Sequence, residues 1–225
     1  MVETAFLSRV RLFADLSDRD LSHLATYMQR RRYARGSLVF MRGDPGTHLY
    51  VVEEGQVKLV VTSDQGDELI LGVLGPGDTF GELALVGEPR WVDAVSQTGS
   101  RLLVLHHDDF LPFVRGRPEV ATRVIAIMSD WLRRLAELAG DGAFLDVRGR
   151  LAKTLLALSG ADDRPGEDGL VISPKVTQVE LAGMVGSTRR SVNKWLGYYQ
   201  REGLIRVEKG YITLLQPDQL RRSAA

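Results

Sequence analysis

The apolar residues of this 225-residue chain change their rhythm along its length. From about 31 to 112 they fall in short runs, SLVF, HLYVV, VKLVV, ELILGVL and RLLVL, separated by GDPG, EEG, DQG and GPGD. Runs and glycine turns at that spacing predict short antiparallel strands closed into a sandwich or barrel. From about 117 to 139 the repeat lengthens to that of a helix, with Ala121, Val124, Met128, Trp131, Leu135 and Leu138 at alternating spacings of three and four. Such a seam fits a second helix. Ile125 and Leu132 lie on another face and are left to pack against the barrel, although the whole stripe could also do so. Ahead of the strands, Leu7, Val10 and Phe13, then Leu21, Leu24 and Met28, predict helices broken at DLSDRD. Strands and helices so segregated make an α+β fold.

Two domains are expected at this length, and 44% hydrophobic with 26% charged residues is the composition of a soluble globular protein. The formal net charge is zero, so affinity for nucleic acid has to come from local clustering. The chain has no cysteine, which excludes disulfides, thiol catalysis and cysteine-ligated metal clusters. No apolar run reaches the roughly 20 residues of a membrane span, and the start MVET is unlike a signal peptide, so a cytoplasmic protein is expected.

The segment TQVELAGMVGSTRRSVNKWLGYY, Thr177 to Tyr199, reads as two short helices about a glycine turn. Thr177 and Glu180 have capping-box spacing ahead of Leu181, Met184 and Val185. Gly186 ends that helix, and Thr188 caps a second in which Val192, Leu196 and Tyr199 make one buried stripe. Its other face carries Arg189, Arg190, Ser191, Asn193 and Lys194 near the amino end, the part of a recognition helix that reaches base edges. Apolar residues alternating about Lys209-Gly210 predict a flanking hairpin, a wing. From 187 to 225 eight basic residues face three acids, a net +5 that favours a phosphate backbone. The alternative is a plain helical hairpin with a solvated charged face.

In GPGDTFGELALVGEPRW a strand leads into Gly81-Glu82-Leu83, a short helical turn with free backbone amides, which attract anions. Arg90 adds a planar, permanently charged fork, and Glu82 an acceptor for a sugar hydroxyl. The residues describe either a pocket for a phosphorylated sugar or an internal Glu82–Arg90 ion pair that ties the barrel shut. A cupin-like metal enzyme is the class to exclude. His106 and His107, as neighbours on a strand, point to opposite faces, while His23 and His48 belong to other segments. With no H-x-H or H-E-x-x-H, neither a metal centre nor a catalytic residue is expected.

The barrel turns EEGQVKL and GPGDTFGELAL, the long helix, AFLDVRGRLAKTLLAL and TQVELAGMVGSTRRSVNKWL together resemble the CRP/FNR family of bacterial transcription regulators, over nearly the whole chain. The resemblance implies a cyclic-nucleotide-binding jelly-roll β-barrel over 1–116, a dimerisation helix over 117–140 and a winged helix-turn-helix over 141–225. Its implied partners are double-stranded DNA, a second copy of the chain and RNA polymerase. It makes Gly81, Glu82, Leu83 and Arg90 a phosphate-binding cassette, with Glu82 on ribose and Arg90 on a cyclic phosphate. It also matches Thr188, Arg189, Arg190, Ser191 and Lys194 to the recognition helix, with Arg189 as the base reader.

Four departures stand out. Trp91 replaces the Ser or Thr that usually follows the cassette arginine, and the loop before Arg90 is slightly shorter. Leu135 and Ala136 replace the polar pair that receives adenine in the cyclic-AMP receptor, so cyclic AMP loses several partners. The barrel therefore takes another nucleotide-like effector, or it is a relic pocket, with Trp91 either stacking on a base or plugging the hole. Arg190 stands where the family often has glutamate, so the operator should differ from the usual half-site. A nucleotide-binding module acting on a partner protein remains the alternative function, and it would not need the basic head. Haem sensing has no histidine marked for it.

Overall fold

In the computed structural model, which describes residues 2–160, 165–166, 169–173 and 175–223, the strand-rich region forms two four-stranded sheets. Its strands are β1 (Gln29–Tyr33), β2 (Leu38–Phe40), β3 (His48–Glu54), β4 (Val57–Thr62), β5 (Glu68–Leu74), β6 (Thr79–Phe80), β7 (Asp93–Ser96) and β8 (Ser100–His106). One sheet runs β1-β8-β3-β6 and the other β2-β7-β4-β5, with β8 antiparallel between β1 and β3, and β7 antiparallel between β2 and β4. Phe40, Tyr50, Val52, Val57, Phe80, Leu102 and Val104 share one core. Leu49, Val51, Leu103 and Leu105, which alternate with them, are buried in another core among the helices. Burial on both faces explains why HLYVV and RLLVL are continuous apolar runs and do not alternate.

Helices α1 (Thr4–Leu7) and α2 (Asp18–Tyr27) precede the strands, and α3 (His107–Arg115) and α4 (Pro118–Phe144) follow them. Ser17 caps α2 by accepting from the Asp20 amide, and an Asp20–Arg117 ion pair ties that helix start to the approach to α4. The helix-pairing phase expected on α4 is corrected. Val120, Val124 and Ile127 are buried against the first unit's core with Trp131 packed beside them, whereas Ile125 (66% exposed), Met128 (45%), Leu132 (71%) and Leu135 (41%) stand in solvent. Each stripe has spacings of three and four, and successive residues turn by about 100°, so the sequence carries two seams. The barrel takes the one that includes Trp131, whose ring lies against Gly72.

The chain divides into two units, residues 1–61 with 71–134, and residues 62–70 with 135–225, so α4 runs through the division. The second unit continues with α5 (Val147–Ser159), β9 (Pro165–Gly166), β10 (Gly169–Val171), α6 (Gln178–Val185), α7 (Arg189–Arg201), β11 (Ile205–Glu208), β12 (Tyr211–Leu214) and α8 (Pro217–Ser223). Its sheet runs β11-β12-β10-β9 and its core gathers Leu151, Leu155, Leu181, Val192, Leu196, Tyr199 and Leu214. The loop read at GADDRPGEDG falls largely outside the described residues. Among the described residues, no helix is long and apolar enough to cross a membrane.

Candidate functional site

In the second unit, the Thr177 hydroxyl accepts from the Glu180 amide at 3.2 Å and the Glu180 carboxylate accepts from the Thr177 amide at 2.7 Å, so α6 starts on a complete capping box. It ends at Gly186, whose φ of 62° is left-handed, a conformation that costs a residue with a Cβ about 1 kcal/mol. Two residues later Thr188 caps α7 by accepting from the Ser191 amide at 3.2 Å. Val192, Leu196 and Tyr199 are buried, and the Tyr199 hydroxyl donates to the Arg148 carbonyl at 2.9 Å, pinning α7 to α5.

That anchoring leaves Thr188, Arg189, Arg190, Asn193 and Lys194 exposed on one end of α7, with Ser191 half-buried behind them. Arg189 Nε donates to Gln178 Oε1 at 3.3 Å, a partner not foreseen from the sequence. Lys194 lies 5.0 Å from the centre of the Trp195 ring. Beside the helix pair, β11 and β12 pair from Ile205↔Leu214 to Glu208↔Tyr211 about Lys209 (φ 50°) and Gly210 (φ 81°), a tight two-residue hairpin. Two helices, an exposed polar amino end and a hairpin form the geometry that lays a helix in a major groove.

In the first unit, the β6 turn brings Gly81, Glu82 and Leu83 together with Arg90. Arg90 is 4% exposed. Its guanidinium donates to the His48 carbonyl at 2.5 Å and the Gly81 carbonyl at 3.1 Å, and stacks 4.4 Å from the Phe40 ring centre. Gly81 is at φ 89°, and a Cβ there would meet both Arg90 and the His48 carbonyl at 2.8 Å. Among the described residues Arg90 Nε is buried with no partner, and burial pulls the guanidinium below its ordinary value while Tyr50 and Glu82 oppose that. Burial likewise pushes the Glu82 carboxyl from the usual 4.5 up to about 7, against the pull of its own backbone, the Thr79 hydroxyl at 3.3 Å and Arg90. A buried guanidinium and a half-buried carboxyl thus lie in one turn with spare hydrogen-bonding capacity. Trp91 does not fill this space: at 63% exposure its indole lies in solvent, because the chain turns outward once Arg90 is held. The plug expected there is therefore corrected. Leu135 is 41% exposed on α4, in the second unit, and offers no donor or acceptor.

The cyclic nucleotide-binding domain family matches residues 30–117 and the Crp-like helix-turn-helix domain family matches 149–223. Along nearly its full length the chain is similar to the CRP-like cAMP-activated global transcriptional regulator of Mycobacterium tuberculosis, 32% identical over 219 residues, 97% of this chain and 98% of the relative. The chain belongs to the CRP/FNR family of transcriptional regulators. Among solved members, the CRP/FNR regulator TTHA1359 of Thermus thermophilus matches at 32% identity and TM-score 0.72, covering 87% of this chain and 98% of that one. The c-di-GMP responsive global regulator CLP of Xanthomonas campestris matches at 27% identity and TM-score 0.79, covering 88% and 99%.

This CRP/FNR chain is a DNA-binding transcription regulator by family, with a cyclic-nucleotide-binding-type barrel and a helix-turn-helix. Its cassette uses residues that sequence reasoning missed. Thr79 stands three before Glu82, the S/T-x-x-E spacing, and so was legible. The Phe40 ring and the His48 carbonyl come from distant strands and left no local signal. One premise about the histidines is also corrected. His106 ends β8 and caps α3, and His107 is the first residue of α3, so strand alternation does not separate them. Ligand atoms of His106, His107 and Asp108 lie within 4.8 Å of one another.

Proposed function

We propose that this CRP/FNR regulator works as a homodimer in the cytoplasm, with the barrel over 1–116, pairing helix over 117–140 and DNA-reading head over 141–225. The pairing seam is Ile125, Met128, Leu132 and Leu135, the stripe whose exposure on an otherwise anchored helix supports it. Two heads then read a near-palindromic operator, half-sites about one helical turn apart, through Thr188, Arg189, Arg190, Ser191, Asn193 and Lys194. RNA polymerase is the partner through which such a regulator alters transcription. The observation that carries the reading is the exposed polar end of α7 held by its buried stripe and flanked by the wing. Selection of binding sites from random DNA, followed by titration at two salt concentrations, tests it: a two-fold symmetric site with strong salt dependence is the expected result.

The effector reading is a nucleotide-type anion, its phosphate on Arg90 and a hydroxyl on Glu82, cradled by Gly81 and Leu83. The orphaned Arg90 Nε and the raised Glu82 carboxyl support it. With Trp91 turned out and Leu135 apolar, cyclic AMP finds fewer partners, and another nucleotide is the better fit. The cleft under α4, lined by Arg11, Leu74, Thr79, Asp130, Trp131 and Arg134, measures about 170 Å³, below the roughly 300 Å³ of small-molecule sites. None of Gly81, Glu82, Leu83 and Arg90 lines that cleft, so the effector reading rests on the cassette alone. Calorimetric titration with cyclic AMP and cyclic GMP tests this, and submicromolar binding of cyclic AMP would overturn it.

A further inference from the structure

At the junction of β8 and α3 the chain gathers three side chains of metal-ligating type. His107 Nδ1 lies 2.9 Å from one carboxylate oxygen of Asp108, and His106 Nδ1 lies 3.4 Å from the other. Ligands at about 2.0–2.2 Å from a tetrahedral ion stand about 3.4 Å apart, a separation that the His106 pair has and that the His107 pair, now in direct contact, reaches by opening by about half an ångström.

The backbone beneath them is fixed from one side. His106 is paired with His48 across β8 and β3, and the His107 amide donates to the Thr47 carbonyl at 2.9 Å. The His106 Nδ1 accepts from the Asp108 amide at 3.2 Å, so its lone pair now faces that amide. An ion would replace that long cap with a stronger bond. The partial positive charge of a helix start opposes a cation, but Asp108 and Asp109 both lie in the first turn and outweigh it. His48 stands beside the cluster, its ring 4.9 Å from that of His106 and its Nδ1 held by the Thr47 hydroxyl at 2.8 Å. All three proposed ligands reach solvent, so an ion can enter.

We propose that His106, His107 and Asp108 bind one divalent transition-metal ion of the zinc type, with water completing the shell. Two imidazoles and one carboxylate suit zinc, nickel or copper and are a poor match for magnesium or calcium, which prefer oxygen. Because His106 ends β8 and His107 opens α3, the ion would clasp the strand to the helix that leads into α4. This site is separate from the Arg90 cassette and does not depend on the effector reading.

The test uses the full chain without a histidine tag, stripped by chelator. Calorimetry with Zn2+ and visible absorption with Co2+ should each report one site per chain. His107→Ala and Asp108→Asn should each weaken Zn2+ at least tenfold, and His23→Ala should leave it unchanged. Asp108 is largely exposed, so its variant reports even if His107→Ala disturbs the helix start. Absence of one-to-one Zn2+ binding, or affinity that survives both variants, overturns the proposal.

Discussion

Arg189 Nε donates to Gln178 Oε1 at 3.3 Å, so the arginine of α7 proposed to read bases is held by the first residue of α6. A fork held in place loses less freedom on meeting guanine O6 and N7 than a free one. Arg189→Ala should cost about 1–3 kcal/mol on the operator and nearly nothing on unrelated DNA, whereas Lys194→Ala should weaken all sequences together and lower the salt slope by about one. Gln178→Ala should weaken operator binding by a smaller amount in the same base-dependent way. Binding isotherms on operator and scrambled duplex check all three. Unchanged discrimination in Arg189→Ala removes the assignment.

On the proposed pairing, the two stripes of α4 have separable roles. Leu132→Glu places a charge in the middle of the pairing seam and should raise the dimer dissociation constant by at least about 30-fold, an interface loss of about 2 kcal/mol, while each chain stays folded. Ile127→Ala, on the barrel side, should lower unfolding stability by about 2 kcal/mol or more and leave dimerisation intact. Sedimentation and urea unfolding distinguish them. Exchange of the two outcomes would restore the seam through Val124 and Trp131.

Local signals in the sequence were strong where chemistry is local. Thr177, Glu180, Gly186 and Thr188 each act on a backbone group within a few residues, so the helix ends could be read directly. The hairpin at Lys209-Gly210 is legible for the same reason. The face of α4 was not, because Val124 and Ile125 begin equally good stripes and only the barrel decides between them. Arg90 was identified as a site residue, but its partners, the carbonyls of His48 and Gly81 and the ring of Phe40, are backbone and aromatic groups with no spacing rule. Trp91 was misread for a related reason: a large aromatic is usually buried, but here Arg90 takes the inward position next to it.

Glu82 gives the barrel a pH dependence with a definite sign. Its carboxyl titrates near 7 in the folded chain and near 4.5 when unfolded, so folding favours the protonated form. The contribution is fully present below about pH 4.5 and is lost as pH rises through 7, a change of about 3 kcal/mol. Glu82→Gln should therefore match the parent at pH 4.5 and exceed it at pH 8. Denaturant midpoints at the two pH values provide the check, and an equal difference at both would show that folding leaves the Glu82 carboxyl at its ordinary value.

Arg90, proposed above as an anion ligand, is also a structural tie. Arg90→Lys keeps the positive charge but cannot reach the His48 and Gly81 carbonyls together, nor lay a flat face on Phe40. One buried carbonyl loses its donor, at a cost of about 1–3 kcal/mol. The variant should unfold at lower denaturant even without any nucleotide, and it should lose nucleotide binding as well. Arg90→Met goes further, since the apolar chain still packs on Phe40 but leaves both carbonyls bare. If Arg90→Lys unfolded like the parent while losing nucleotide affinity, the guanidinium would have to point at ligand and not at the backbone, and the two carbonyl bonds would be replaceable by water.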